Sequence, residues 1–166
     1  MSFYQEVFNN YLDAFSLLYV QVGRLELTLR SVIPKTIRRY AGNSGGEPWF
    51  TQLIFDLETS SKIRRALASD KNRDVGIENL LPLSFWNRLF LSKNYEKLWI
   101  PYLQYCFPNL KNRNSKRKYR EVQYLFIELN RIRNQVAHYN FSNFGNLSRD
   151  IENLKRLQLL LGLTVS

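Results

Sequence analysis

Residues 8–32 read FNNYLDAFSLLYVQVGRLELTLRSV, and this stretch decides the fold class. Phe8, Phe15, Val22 and Leu29 recur every seven residues, with Tyr11, Leu18, Leu25 and Val32 as a companion series. Such an apolar seam marks a helix buried along one side. Gly23 interrupts it at a cost of only about 1 kcal/mol relative to Ala. Pro34 is expected to end or bend the helix. A coiled-coil dimer arm would carry the same seam, but apolar residues extend beyond it, which favours a helix packed within a bundle.

Working outward, Gly42-Asn43-Ser44-Gly45-Gly46-Glu47-Pro48 reads as a loop by composition. Trp49 to about Ser69 reads as a second helix, with Phe50, Leu53, Ile54, Leu57, Ile63 and Leu67 apolar. A polar stretch, Asp70 to Asn79, precedes two shorter helical pieces, Leu83 to Phe90 and Tyr95 to Phe107. Pro101 lies in the second of these, as a kink or in a first turn. Asn109 to Lys118 reads as a basic loop, Tyr119 to about Ala137 as a strong helix, and Leu147 to Leu161 as the last helix. No alternating strand pattern stands out and no long repeat appears. The expectation is an all-α bundle of five to six helices in a single domain over residues 1–166.

Composition narrows the function classes. Of the 166 residues 45% are apolar and 14% aromatic, enough to fill a core and to argue against disorder. The single Cys106 excludes an intrachain disulfide framework and a Cys-based zinc site. One histidine limits metal chemistry further, although carboxylate sites for Mg²⁺ stay open. The start, Met1-Ser2-Phe3-Tyr4-Gln5-Glu6, lacks the basic and apolar segments of a signal peptide. No apolar run reaches the roughly 18 residues of a membrane span. The expectation is a cytoplasmic protein without cofactor or metal.

Charge is unevenly placed. Residues 1–60 carry five basic and six acidic side chains, and residues 61–166 carry nineteen and eight. A basic half on an ordinary globular composition points to a polyanion, with nucleic acid first, or else serves solubility alone.

The only histidine closes the stretch Arg131-Ile132-Arg133-Asn134-Gln135-Val136-Ala137-His138. At about 100° per residue, His138 and Asn134 share a face with Arg131 and Ile127 beside them. Val122, Leu125, Phe126, Leu129, Ile132 and Val136 form the opposite, core-facing stripe. Arg133 falls within about 60° of that stripe's centre. Either the helix loosens near its end, or Arg133 reaches round, or it meets an acid inside the bundle. Glu26 is the obvious acid, and it also stands four residues before Arg30, the favourable order for a helical ion pair. Arg131 is then the substitute phosphate contact. His138 could equally cap the helix C-terminus, where its cationic form is favoured.

Arg133-Asn134-x-x-x-His138 resembles the signature of HEPN domains, small all-α proteins of bacterial defence and toxin–antitoxin systems. The resemblance runs to the Abi-like (abortive infection) branch through Leu25-Glu26-Leu27-Thr28-Leu29-Arg30, Trp49 and Leu81-Pro82-Leu83-Ser84-Phe85-Trp86. It continues through Tyr95-Glu96-Lys97-Leu98-Trp99 to Phe107-Pro108, in the family's order over roughly residues 10–140. Ser31 departs from it, since Asn often follows the Arg. Related toxins with a nucleotidyltransferase partner often carry Tyr two residues after the His, whereas here Tyr139 follows at once and Asn140 takes that position.

The resemblance implies a metal-independent endoribonuclease acting as a toxin or phage-defence effector. It further implies a two-fold homodimer with paired motifs lining one cleft, and a possible antitoxin or defence-system partner. Cleavage through the substrate's 2′-hydroxyl needs a base, an acid and cations for the developing charge. An imidazole, with an ordinary pKa of about 6.5, serves as acid or base near neutrality. A guanidinium suits phosphate oxygens, and Asn134 would orient the phosphate or the imidazole. One chain supplies one histidine, and a symmetric dimer would supply two.

Lys111-Asn112-Arg113-Asn114-Ser115-Lys116-Arg117-Lys118-Tyr119-Arg120 holds six basic residues and no acid. It reads as a phosphate-tracking loop that feeds RNA to the site, or as a solvated loop of no consequence. Tyr119 and Tyr124 are offered as stacking platforms for bases. Trp86 and Trp99 read instead as core or dimer contacts. The alternative function is a non-catalytic HEPN module binding RNA, a nucleotide or a protein partner.

Overall fold

Burial of the first helix sets the architecture. The computed structural model describes residues 3–41, 48–50, 53, 55–69, 76–138 and 146–164, with backbone alone over 3–11. Its described residues form six α-helices and no strand: α1 Phe3–Tyr40, α2 Leu57–Ser69, α3 Ile77–Leu80, α4 Leu83–Leu89, α5 Lys116–Ala137 and α6 Leu147–Leu160. The protein is all-α, and none of these helices is long and apolar enough to cross a membrane. Phe15, Leu18, Val22, Leu25 and Leu29 of the seam are buried, while the side chains of Phe8 and Tyr11 lie outside the described residues.

Helix α1 runs through Pro34 to Tyr40, so the proline does not end it. A helix-interior proline costs about 3 kcal/mol. Ile33 and Ile37 are fully buried on either side of it. At about 1.5–3 kcal/mol for each buried side chain, they offset that cost.

Three further boundaries differ from the sequence reading. The second helix begins at Leu57, eight residues after Trp49. Asp56 caps it, its Oδ1 accepting the Thr59 N–H at 2.7 Å. Lys93 beside the same carboxylate, with Nζ at 2.5 Å, holds its pKa well below the usual carboxylate range. Trp49 sits in a turn instead, buried and stacked on Trp86 with ring centroids 5.8 Å apart. The segment from Tyr95 to Phe107 is not one helix but a π-turn over Tyr95–Trp99 and a 3₁₀ turn over Leu103–Cys106. Pro101 between them has no N–H to continue a ladder, and its ring crowds the carbonyl one turn back. Ile100 N–H bonds to the Tyr95 carbonyl at 3.0 Å. The basic segment, finally, is helical from Lys116, because Ser115 accepts the Arg117 N–H at 3.2 Å and caps α5.

Helix α5 is the centre of the bundle, packing against α1, α4 and α6, while α1 also packs on α6. Its whole apolar stripe, Val122, Leu125, Phe126, Leu129, Ile132 and Val136, is buried. Phe126 stacks on Phe90 at 3.8 Å between centroids, and Trp99 and Phe107 close the same aromatic cluster. Trp86 and Trp99 are fully buried within the chain itself.

The chain leaves α6 through Gly162 at φ 80°, with Leu163 N–H on the Gln158 carbonyl at 3.0 Å and Gly162 N–H on the Leu159 carbonyl at 3.1 Å. A Cβ at Gly162 would also stand 3.0 Å from Pro108, whereas one at Gly23 meets nothing within 4 Å. The same substitution should therefore act with opposite signs. In urea denaturation, Gly162→Ala is expected to lower the unfolding free energy by about 1–2 kcal/mol, and Gly23→Ala to raise it by about 0.5–1 kcal/mol.

Candidate functional site at the end of α5

The last turn of α5 ends on His138, which closes the helix at φ −107° and ψ 8°. Its N–H donates to the Asn134 carbonyl at 3.1 Å, placing the imidazole one turn beyond the Asn134 amide. Arg133, Asn134 and His138 are all exposed. Arg133 Nη1 donates to Asn134 Oδ1 at 3.4 Å, the outer limit of a hydrogen bond. The buried side of this turn is supplied by Ile132 and Val136, which pin the backbone to the core while the three polar side chains face outward.

Arg133 is thus not a buried partner of Glu26, and the two form no ion pair. Glu26 pairs with Arg30 at 2.6 Å. Arg30 also donates to the carbonyls of Glu78 and Asn79, each at 2.8 Å, which fastens α3 to α1. The last turns of α5 stay covered on one side, where Ile132, Gln135 and Val136 are buried. The hollow beside α4 is lined from α5 only as far as Asn130. Arg133 stands at the edge of that covered side and is exposed, although its angular position points toward the stripe.

Arg131 has the structural task instead. Its guanidinium bonds to Glu128 at 2.9 Å, to Gln135 Oε1 at 2.8 Å and to Asp150 across in α6. The Glu128 hydrogen bond, then Asp150, holds its pKa well above the usual arginine value. Asp150 is only 2% exposed. It lies on the Leu147–Leu154–Leu157 face of α6, an acid where the pattern calls for an apolar residue. That misplaced charge was the legible signal of a buried cation partner, because an unpaired carboxylate is not left in a core.

The basic segment divides in the same way. Arg113 donates to the carbonyls of Leu110 at 3.2 Å and Pro108 at 3.0 Å, and so shapes its own loop. Lys118 pairs with Glu121 at 2.6 Å. Lys111, Lys116, Arg117 and Arg120 are exposed, with Lys116 5.7 Å over the Tyr95 ring. Tyr119 is no platform for bases, since it is buried and its hydroxyl donates to the Phe90 carbonyl at 2.8 Å. Burial pushes that phenol up to about 12. Tyr124 is partly exposed, its hydroxyl accepting from Arg149 at 2.5 Å.

Other chemistries find little support among the described residues. No group of three or more His, Cys, Asp or Glu is placed to hold a metal ion. Burial pushes the Cys106 thiol up to about 12, which keeps it protonated at neutral pH. Tyr139 and Asn140 lie outside the described residues. In comparison with known proteins, the chain matches no family model, no curated protein and no solved structure.

The two neighbouring arginines should behave oppositely in thermal and urea unfolding. Arg131→Ala leaves the buried Asp150 unpaired and is expected to cost about 1–3 kcal/mol. Arg133→Ala is expected to stay within about 0.5 kcal/mol of the parent. Equal losses for both would show that Arg133 carries a structural contact.

Proposed function

We propose that this chain is an Abi-like HEPN endoribonuclease, a phage-defence or toxin effector that cleaves RNA without a metal ion as a two-fold homodimer. The observation that carries the reading is the joint exposure of Arg133, Asn134 and His138 on one helix end, while Arg131 beside them is consumed by Glu128 and Asp150. An arginine and an amide in the turn before a histidine, all open to solvent, are available to a substrate phosphate.

In this reaction the substrate's 2′-oxygen bonds to the adjacent phosphorus as its proton passes to a base. The bond from phosphorus to the 5′-oxygen breaks as that oxygen takes a proton from an acid. The products are a 2′,3′-cyclic phosphate end and a 5′-hydroxyl end. His138 of the two protomers supplies the two proton transfers. Arg133 stabilises charge on the non-bridging oxygens, and Asn134 orients the phosphate or the imidazole.

The outward face of α1 supports the dimer. Tyr19 and Leu27 are each 68% exposed and Val20 54%, unusual for side chains of this size on one helix. A shallow groove of about 370 Å³ runs beside Leu12, Tyr19 and Val20 and ends on Val136, two residues before His138. A second copy seated on this face by a two-fold axis would cover the apolar surface and bring a second His138 near the first.

Two experiments test the reading. Purified protein incubated with a mixed RNA pool in EDTA is expected to leave 2′,3′-cyclic phosphate ends, with His138→Ala slower by about 10²–10⁴-fold. Wild-type activity in His138→Ala would overturn the mechanism, and RNA binding without a shorter product would make the chain a non-catalytic binding module. Tyr19→Glu is expected to sediment as a monomer and to lose cleavage together with the dimer.

A further inference from the structure

At the end of α5 opposite His138, a second polar site takes shape. The segment Ser92–Lys97 folds over the first turns of the helix and encloses a hollow of about 310 Å³. Lys93, Lys97, Lys116 and Arg120 line it, with Glu96 as the one acid. Lys93 is neutralised by Asp56. Lys97, Lys116 and Arg120 are exposed and have no carboxylate partner among the described residues. Three cations without carboxylate partners thus line one concavity, against the single carboxylate of Glu96.

The walls are fixed before any ligand arrives. Gln123 Nε2 donates to the Phe90 carbonyl at 3.0 Å and to Ser92 Oγ at 3.2 Å, tying α5 to the segment above it. Tyr95 Oη donates to the Asn114 carbonyl at 2.8 Å and Trp99 Nε1 to the Arg113 carbonyl at 3.1 Å. The pocket therefore pays little ordering entropy on binding. Its volume lies at the lower end of ligand sites, room for one nucleotide unit and far too little for a duplex.

The hollow also leads somewhere. A second one, about 270 Å³, shares Gln123 with it and continues past Ile127 to Asn130. Arg120, Gln123, Ile127, Asn130, Asn134 and His138 all fall within about 40° of one line along α5. This second hollow is lined by Asn87, whose side-chain amide is buried with no hydrogen-bond partner among the described residues. An unpaired buried amide is costly, and a base edge entering here offers both the donor and the acceptor it lacks.

We propose that the hollow between Tyr95–Lys97 and the first turns of α5 is a phosphate subsite for a nucleotide, and that single-stranded RNA runs from it along the outward face of α5 to His138. The strand form rests on the ribonuclease reading above. The shared chemistry is a nucleotide phosphate, from a strand or from a free mononucleotide, and the continuous groove favours the strand. With 14 residues between Arg120 and Asn134, the subsite stands about 21 Å along the helix from the motif. A substrate reaching both therefore extends several nucleotides to one side of the scissile bond.

The test uses the His138→Ala chain, so that RNA stays uncut, titrated with a fluorescein-labelled 12-nucleotide oligouridylate and separately with UMP. Lys97→Glu/Arg120→Glu is compared with Arg64→Glu/Lys155→Glu, an equal change of charge at exposed positions on α2 and α6. The pocket pair is expected to weaken 12-mer binding at least about tenfold and to reduce its log–log salt slope by about 1.4, two phosphate contacts at the single-strand value. The control pair is expected to change both far less, and circular dichroism to show all variants folded. Equal losses in the two pairs would overturn the subsite, since net charge alone would explain them. UMP binding lost in the pocket pair with 12-mer binding intact would assign the hollow to free nucleotides and overturn the strand path. Failure of the nuclease reading is separately visible: wild-type protein that binds the 12-mer through Lys97 and Arg120 yet never cuts RNA keeps the subsite and loses the enzyme.

Discussion

Burial of one side of α1 against α5 and α6 is the constraint from which the rest follows. A 38-residue helix is about 57 Å long, whereas a compact chain of this size has a radius of gyration of about 15 Å. The bundle can therefore cover only part of α1. Leu18, Leu25, Leu29, Ile33 and Ile37 are buried completely, and Tyr19, Val20 and Leu27 on the other side are left open. The inner side fixes where α5 lies, and so where its last turn emerges. The outer side is the surface proposed to hold a second copy.

A second constraint is the pairing of charge. The acids are few, and most of those described are taken by cations with structural tasks: Glu26 by Arg30, Asp56 by Lys93 and Arg88, Glu121 by Lys118 and Arg156, Asp150 by Arg131. Among the described cations left without carboxylates, Lys97, Lys116 and Arg120 line one hollow beside the first turns of α5. Net charge alone left a polyanion partner and mere solubility equally open. The distribution of ion pairs singles out the place proposed for a phosphate, because a cation already paired with a carboxylate gains less by meeting one.

The helical character of the chain was legible, since the seven-residue recurrence from Phe8 to Val32 has one structural meaning. Helix α5 was also legible from the Val122–Val136 stripe. Boundaries failed where local chemistry outvoted pattern. Asp56 and Ser115 started helices that periodicity placed elsewhere, and buried Ile33 and Ile37 carried α1 through Pro34. The motif Arg133-Asn134-x-x-x-His138 could be picked out as a string, but not the environment of its arginine. An ideal helical projection turned Arg133 toward the core, whereas in the folded chain it is exposed beside the buried Ile132 and Val136.

By itself, then, the sequence determined which segments are helical and which of their sides are apolar, because both follow from residue spacing along one chain. It also singled out the one histidine and its neighbours. Tertiary structure alone decided which arginine is spent on Asp150 and which faces solvent, why Tyr119 is a wall, and that Lys97 joins Lys116 and Arg120 around one hollow. These are contacts between residues far apart in the chain, and their partners are chosen by packing geometry, which residue spacing does not encode.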